Sequence, residues 1–194
     1  MTASATAPDY NAARQAMVDS QLRPQGVNDP SVIAAMASVP REDFVPEGQR
    51  PLAYSDRSIP LDDGRALPAP SVLGQLLTAL APVRGERALV VGAGTGYSAA
   101  VLSEMGVDVT AADKAAKADS FDLILIDGAV ETIPDSLIAQ LRDGGRLGTG
   151  IVDNDGITRM ATGRKVAGAF GLQTIGDAAI PMLPGFERPR AFTF

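Results

Sequence analysis

Short apolar runs alternate with helical patterns in the second half of the chain. Ala88–Val91 and Phe121–Ile126 are dominated by valine, leucine and isoleucine, as expected for parallel strands that are buried on both faces. Val107–Ala112 and Arg146–Val152 are two further predicted strands, and helices are predicted over 97–104 and 134–141, the second ended by Gly144-Gly145. This alternation predicts an α/β protein with a doubly wound, mostly parallel sheet.

The pattern is different at the two ends of the chain. Helical spacing of apolar residues predicts helices at 9–20, 31–38 and 70–80, and prolines and charges interrupt the segment between 40 and 63. Beyond Gly156, strand signals such as Gly171–Ile175 and Ala191–Phe194 predict an antiparallel hairpin at one edge of the sheet. We expect a single domain, 1–194, in which a helical lid region (1–80) packs over the sheet-containing core (81–194).

A glycine-rich turn follows the first predicted strand and opens a helix. It consists of Gly92, Ala93, Gly94, Thr95 and Gly96. The third glycine comes one position earlier than in the dinucleotide fingerprint G-x-G-x-x-G, which favours S-adenosylmethionine over NAD. The backbone N–H groups at the start of the helix favour a negatively charged group in the turn. The alternative is a glycine turn that only packs a helix tightly on a sheet.

Acidic residues follow the next two predicted strands. Asp113 comes after the strand 107–112, about 20 residues beyond the glycines, where a carboxylate can accept hydrogen bonds from ribose hydroxyls. Asp127 and Gly128 follow the strand 121–126 and are predicted to line the same site. For Asp127 the alternative is a cap on the next helix.

Composition excludes several kinds of chemistry. The chain has no cysteine and no histidine, which excludes disulfides, thiolate metal sites, cysteine nucleophiles and imidazole bases, and we predict no metal site. No apolar run approaches 18 residues and the first residues do not resemble a signal peptide, so we expect a cytoplasmic protein without a membrane partner. A net charge of −6 argues against a nucleic-acid partner.

Five stretches together resemble the protein-L-isoaspartate O-methyltransferase family in order and spacing. They are Met17-Val18 to Gln21-Leu22, Val39–Pro46, Ala53–Asp56, Ile59–Leu61 and Val91–Tyr97. The run over 39–46, Val-Pro-Arg-Glu-Asp-Phe-Val-Pro, is specific to that family, whereas many methyltransferases share the glycine turn. The resemblance implies a Rossmann-like sheet of the class I methyltransferase type, S-adenosylmethionine as methyl donor, and transfer to the α-carboxyl of isoaspartyl residues in damaged proteins, a protein-repair reaction.

The chain departs from the family pattern at three places. Ala66-Leu67-Pro68 replaces a Thr-Ile-Ser whose serine contacts the substrate carboxylate in the family, and Ser71 is the candidate catalytic replacement. The alternative for Ser71 is a cap in the first turn of the predicted helix. Val90 stands where the family has an acidic residue near the amino group of the cofactor. Only seven residues, 114–120, remain where the family has a helix and a further strand. Since a helical crossover takes at least about 10 residues, we expect the edge strand to be missing and the link to be largely extended.

Two functions remain open on these observations. The first is methyl transfer to isoaspartyl polypeptides, which needs no histidine because the acceptor carboxylate is already ionised at neutral pH. The second is a degenerate, non-catalytic family member that acts as a binding module and whose S-adenosylmethionine site is weakened or lost. An NAD-dependent oxidoreductase is disfavoured by the glycine spacing. Oligomeric state and natural substrate do not follow from the sequence.

Overall fold

A computed structural model of the chain describes residues 9–61, 64–112 and 117–188. The helices in these ranges are α1 (Tyr10–Met17), α2 (Pro30–Ser38), α3 (Pro70–Leu80), α4 (Tyr97–Glu104) and α5 (Asp135–Ile138). The strands are β1 (Ile59–Pro60), β2 (Ala66–Leu67), β3 (Arg87–Val91), β4 (Asp108–Ala111), β5 (Phe121–Val130), β6 (Leu141–Val152), β7 (Thr158–Val166) and β8 (Ala169–Asp177). A π-helical turn (Val18–Leu22) extends α1, and two 3₁₀ turns (Arg41–Phe44 and Glu47–Leu52) follow α2. None of the helices in the described ranges is long and apolar enough to cross a membrane.

The six long strands form one sheet in the order β4-β3-β5-β6-β7-β8. β3 runs parallel to both β4 and β5, and β6 runs parallel to β5. β7 and β8 complete the sheet as an antiparallel hairpin. This arrangement confirms the predicted α/β fold with a mostly parallel sheet and an antiparallel hairpin at one edge. In the described part of the chain β4 is the other edge strand, so the family's additional edge strand is absent as expected.

The connection from β4 to β5 passes the intervening strand β3. Residues 113–116 lie outside the described ranges, and with them the predicted ribose contact Asp113. The described part of the link, 117–120, is a turn without helix, in which the hydroxyl of Ser120 donates a hydrogen bond of 2.6 Å to the carbonyl of Lys117. These four residues contain no helix, in agreement with the short link, but they form a turn and not the predicted extended stretch.

The two faces of the sheet are covered differently. Alternate residues of β3 and β5 point to opposite faces, because side chains alternate along a strand. On one face Val90 and Leu125 belong to a core formed with α1, α2, α3 and α4. On the other face Leu89 and Ile124 pack with Leu137 of α5 and with residues that follow β8. The N-terminal helices thus form a full layer on one side of the sheet, while one helical turn and an irregular segment cover the other.

Most predicted helix bounds are close to those observed. Asp9 and Asp29 are the N-caps of α1 and α2, and their carboxylates accept hydrogen bonds from backbone N–H groups of the first turn. α3 and α4 have the predicted bounds. The predicted strand Ala191–Phe194 lies outside the described ranges, whereas Gly171–Ile175 lies within β8.

The predicted helix over 134–141 is wrong in length. α5 is only four residues long, because buried Leu141 pairs with Phe121 at the start of β6. Gly144-Gly145 therefore does not end a helix. It lies in an irregular part of β6, between the pairs Phe121–Leu141 and Leu123–Arg146. The gain from burying Leu141 in the sheet outweighs the local helical pattern.

The packing of α3 against the sheet can be tested by truncating one buried side chain. Leu77 is fully buried in the core between α3 and the sheet. We expect Leu77→Ala to lower the free energy of unfolding by about 2–5 kcal/mol, measured by urea denaturation, because it leaves a cavity in a packed core. Leu172→Ala is the matched control, since Leu172 lies on β8 with 41% of its surface exposed and should cost less than about 1 kcal/mol. Equal losses in the two variants would contradict the assigned packing of α3.

Candidate functional site

The glycine turn joins the carboxyl end of β3 to α4. Gly92, Gly94 and Gly96 have positive φ angles of 71°, 47° and 88°, which side-chain-bearing residues rarely adopt. A side chain at Gly96 would meet no atom within 4 Å, and Gly94 is exposed. The turn is therefore open on this side. The first N–H groups of α4 have no acceptor within their own helix, so the opening suits an anionic group.

The family-specific run over 39–46 folds against this turn. A cavity of about 360 Å³ lies between them, lined by Asp43, Phe44, Val45, Pro46, Leu61, Gly94 and Thr95. The ring of Phe44 meets the ring of Tyr97, the first residue of α4, edge-on at a centroid distance of 5.6 Å. The hydroxyl of Thr95 is buried and has no hydrogen-bond partner among the described residues. The cavity therefore combines an open glycine turn with an available hydroxyl.

Arg41 connects the run to the rest of the site. Its side chain is completely buried, and its guanidinium donates hydrogen bonds to the carbonyl oxygens of Ala53 (2.8 Å) and Pro68 (2.6 Å). The same group lies 4.8 Å from the centroid of the Tyr97 ring, a cation–π contact. Burial lowers the pKa of Arg41, but the guanidinium stays charged because its ordinary pKa lies far above neutral pH. Pro68, which replaces the family serine, is thus held by its carbonyl.

The neighbouring residue Glu42 belongs to a second buried network. Its carboxylate forms an ion pair of 2.9 Å with Arg14 of α1 and accepts a hydrogen bond from the hydroxyl of Tyr54. Arg14 also donates to that hydroxyl at 2.8 Å. Burial, followed by the contact with Glu42, raises the pKa of Tyr54, so the phenol stays protonated. The network attaches α1 to the run that borders the cavity.

Asp127 lies inside β5, which continues to Val130, and not at the end of its strand as predicted. It is one residue past Ile126, where the pairing with β3 ends. The carboxylate is buried and accepts a hydrogen bond from the hydroxyl of Ser98 in the first turn of α4. Burial raises the pKa of Asp127 to about 6, although Ser98 and the charge of Arg41 act in the opposite direction. Asp127 does not cap α5, whose N-cap position is Pro134.

Leu183 contacts both Gly92 and Gly128. It belongs to the segment that follows β8, and its backbone N–H donates to the carbonyl of Ala129 at 2.8 Å. A Cβ atom at Gly92 would lie 2.6 Å from a methyl group of Leu183, and one at Gly128 would lie 3.0 Å from its Cβ. Packing against Leu183 therefore requires glycine at both positions. No local pattern in the sequence indicated that Leu183 reaches the site.

Ser71 lines another cavity at the end of the sheet where the parallel strands finish. The N-cap of α3 is Ala69, so Ser71 is not a cap, and its hydroxyl donates a hydrogen bond of 2.6 Å to the carboxylate of Asp56. The cavity has a volume of about 640 Å³. Its lining consists of Gln25, Asp56, Arg57, Ser58, Ala69, Ser71, Val72, Gln75, Thr158 and residues 177–181. The fold thus brings Gly92–Gly96, Asp127 and Gly128 together, while Ser71 lines a separate cavity.

Comparison with known proteins agrees with this geometry. The model of the family described as protein-L-isoaspartate(D-aspartate) O-methyltransferase matches residues 12–114, just over half of the chain. The protein-L-isoaspartate O-methyltransferase of Methylorubrum extorquens (strain PA1) is 35% identical, with 95% of this chain and 94% of the relative covered. The chain belongs to the protein-L-isoaspartate O-methyltransferase family.

Other members of the protein-L-isoaspartate O-methyltransferase family show the same relation. Protein-L-isoaspartate O-methyltransferase 1 of Rhodopseudomonas palustris (strain HaA2) is 37% identical over 73% of this chain and 70% of its own length. A crystal structure of a Plasmodium falciparum protein assigned to the family, in complex with S-adenosyl-L-homocysteine, has a TM-score of 0.74 at 18% identity and covers 88% of this chain and 97% of its own. It therefore supports the fold. The Methylorubrum extorquens alignment spans 214 positions although this chain has 194 residues, so that relative carries segments that this chain lacks.

The buried carboxylate of Asp127 predicts a pH-dependent stability. Its pKa is higher in the folded than in the unfolded chain, so its protonated form stabilises the fold below about pH 4 and this contribution is lost as the pH rises through 6. We expect Asp127→Asn to unfold at higher urea concentration than the wild type at neutral pH. The advantage should grow by roughly 1–1.5 kcal/mol between pH 5 and pH 8. A difference that does not change with pH would contradict the raised pKa.

Proposed function

We propose that the chain is a protein-L-isoaspartate O-methyltransferase, which transfers the methyl group of S-adenosylmethionine to the carboxylate of isoaspartyl residues in polypeptides. One observation carries the proposal: the family-specific run over 39–46 and the glycine turn border a common cavity at the carboxyl end of β3. Ligands of open α/β sheets bind at this end of the strands. The relatives that match most of the chain carry the same name. No finding favours the non-catalytic alternative.

The residues around the turn suit S-adenosylmethionine, which supplies a methyl group on a positively charged sulfur when bound. The backbone N–H groups at the start of α4 would donate hydrogen bonds to the carboxylate of its methionine part, and Thr95 offers a hydroxyl without a partner among the described residues. Val90 provides no negative charge for the amino group. Asp127 on the adjacent strand is buried near the turn, and we infer that it supplies this charge.

We assign the acceptor polypeptide to the cavity that Ser71 lines, from which its isoaspartyl carboxylate must reach the methyl group at the glycine turn. An isoaspartyl carboxylate is ionised at neutral pH and attacks a sulfonium methyl without a general base, so the chain must mainly orient the two partners and exclude water. Arg57 in this cavity can pair with the acceptor carboxylate. Ser71 replaces the hydroxyl that Pro68 lacks. In this structure its single O–H donates to Asp56, so Ser71 must exchange that partner for the acceptor carboxylate when the acceptor binds.

The proposal is tested by binding and by methyl transfer. We expect the purified protein to bind S-adenosylhomocysteine in calorimetry and to transfer a radiolabelled methyl group to an isoaspartyl peptide but not to the matching aspartyl peptide. Because the link 114–120 is too short to hold the family's edge strand, the affinity should be weaker than that of a family member that has this strand. Gly94→Val should abolish binding, since a valine side chain would block the open turn and approach Leu61.

Gly168→Val is the control for backbone strain. Gly168 has a φ angle of 80° in the turn between β7 and β8. This turn lies at the end of the sheet away from the glycine turn, and a Cβ atom at Gly168 would meet no atom within 4 Å. The free energy of unfolding of Gly168→Val should fall by about as much as that of Gly94→Val, but Gly168→Val should still bind S-adenosylhomocysteine. Equal affinity of wild type and Gly94→Val, or absence of methyl transfer by a wild type that binds the cofactor, would refute the proposal.

The assignment of the acceptor site is tested with Ser71→Ala. We expect kcat/KM for the isoaspartyl peptide to fall about tenfold, through loss of one hydrogen bond to a charged group, while the affinity for S-adenosylhomocysteine stays unchanged. Thr78→Ala is the matched control, since its hydroxyl lies on the same helix and donates only to the carbonyl of Gly74. If the two variants had the same kcat/KM as the wild type, Ser71 would have no role in acceptor binding.

A further inference from the structure

A second cavity borders the glycine turn at Gly92. Its volume is about 430 Å³, within the range of about 300–1,000 Å³ found for small-molecule sites. The lining residues are Arg65, Gly92, Pro134, Leu183, Pro184, Gly185 and Phe186. Among them apolar and aromatic groups predominate. The cavity is thus continuous with the turn that we assign to the cofactor, but its walls differ from those of the cavity at Gly94.

One wall of this cavity comes from the segment that follows β8, residues 181–186. Because β8 runs parallel to β6, its carboxyl end lies on the same side of the sheet as the carboxyl ends of β3 and β5. The segment is then hydrogen-bonded along β5: the N–H of Ala129 donates to the carbonyl of Pro181, and the N–H of Glu131 donates to the carbonyl of Phe186 at 3.1 Å. Bonded at both ends, the wall has a defined position over Gly92.

The wall lies on the same face of the sheet as the end of β4, the edge strand of the described part of the chain. Ala112, the last described residue before the shortened link, packs against the same apolar cluster as Leu183 and Phe186. A ligand that extends from Gly92 across this face would meet Leu183 and Phe186, which line the cavity together with Gly92.

We infer that the cavity lined by Leu183 and Phe186 receives the adenine ring of the cofactor, so that the segment 181–186 replaces the wall lost with the edge strand. The inference rests on the proposed function. Adenine is flat and uncharged, and it stacks on aromatic and apolar side chains such as Phe186 and Pro134. The negatively charged end of the cofactor would lie instead at the N-terminus of α4. The glycine turn borders both subsites, through Gly92 at this cavity and through Gly94 and Thr95 at the other.

The absence of tryptophan from the chain permits a direct test. Phe186→Trp introduces a single indole into the cavity, and Phe170→Trp introduces one at a half-buried phenylalanine of the same apolar cluster that does not line the cavity. We expect S-adenosylhomocysteine to quench the fluorescence of Phe186→Trp, with a Kd within about threefold of the calorimetric value. The fluorescence of Phe170→Trp should not change.

A second pair of variants measures the contribution to affinity. Phe186→Ala should weaken S-adenosylhomocysteine binding about tenfold, in the range expected for loss of one stacking partner, and Phe170→Ala should leave the Kd within about twofold. The proposed function stands if the wild type binds S-adenosylhomocysteine and Gly94→Val does not. In that case this inference is wrong if Phe186→Ala binds with normal affinity and the fluorescence of Phe186→Trp does not change. Quenching of Phe186→Trp by an isoaspartyl peptide alone would assign the cavity to the acceptor and also overturn it. A wild type that does not bind S-adenosylhomocysteine would refute both.

Discussion

The buried guanidinium of Arg41 constrains the whole region around the glycine turn. A charge removed from water is costly unless hydrogen bonds and polarisable groups replace its solvation. Here the replacements come from three separate parts of the chain: the carbonyl of Ala53, the carbonyl of Pro68 and the ring of Tyr97. These parts cannot move apart without exposing the charge to an apolar interior. The start of α4 and the loop at Pro68 are therefore held in a fixed relation, and the cavity between the run 39–46 and the turn follows from that relation.

The same arrangement explains how the chain tolerates a change at the position of the family serine. A serine contributes a hydroxyl and a backbone carbonyl, and proline retains only the carbonyl. Arg41 uses that carbonyl, so the structural part of the position is preserved although its chemistry is gone. The nearby hydroxyl of Ser71 donates to Asp56. In the proposed acceptor site, the backbone position and the functional hydroxyl would thus come from different residues.

The glycines around the site meet two different demands. Gly94 and Gly96 leave an open surface, whereas Gly92 and Gly128 accommodate Leu183. The second demand arises because the sheet has a thin layer on one face, where a helical turn and residues 181–186 must bury Leu89, Val91, Ile124 and Ile126. Because the chain is short between β4 and β5, it has fewer helices that could cover these apolar residues. The same segment therefore covers that face of the sheet and borders the glycine turn.

The sequence by itself determined the features that depend on neighbouring residues. The apolar strands, the glycine turn, the caps at Asp9 and Asp29 and the bounds of α3 and α4 follow from periodicity and turn chemistry within a few residues. Even the missing edge strand followed from the sequence, because seven residues are too few for a helix and a strand.

Only the tertiary structure decided the contacts between residues distant in the chain. Leu141 joins β6 because it pairs with Phe121, and Leu183 covers Gly92 because β8 ends beside β5 and β3. The raised pKa of Asp127 likewise depends on burial beneath α4, and the pairing of Ser71 with Asp56 depends on how a loop folds over α3. No local pattern encodes these contacts, because each is set by the free energy of burying a whole surface.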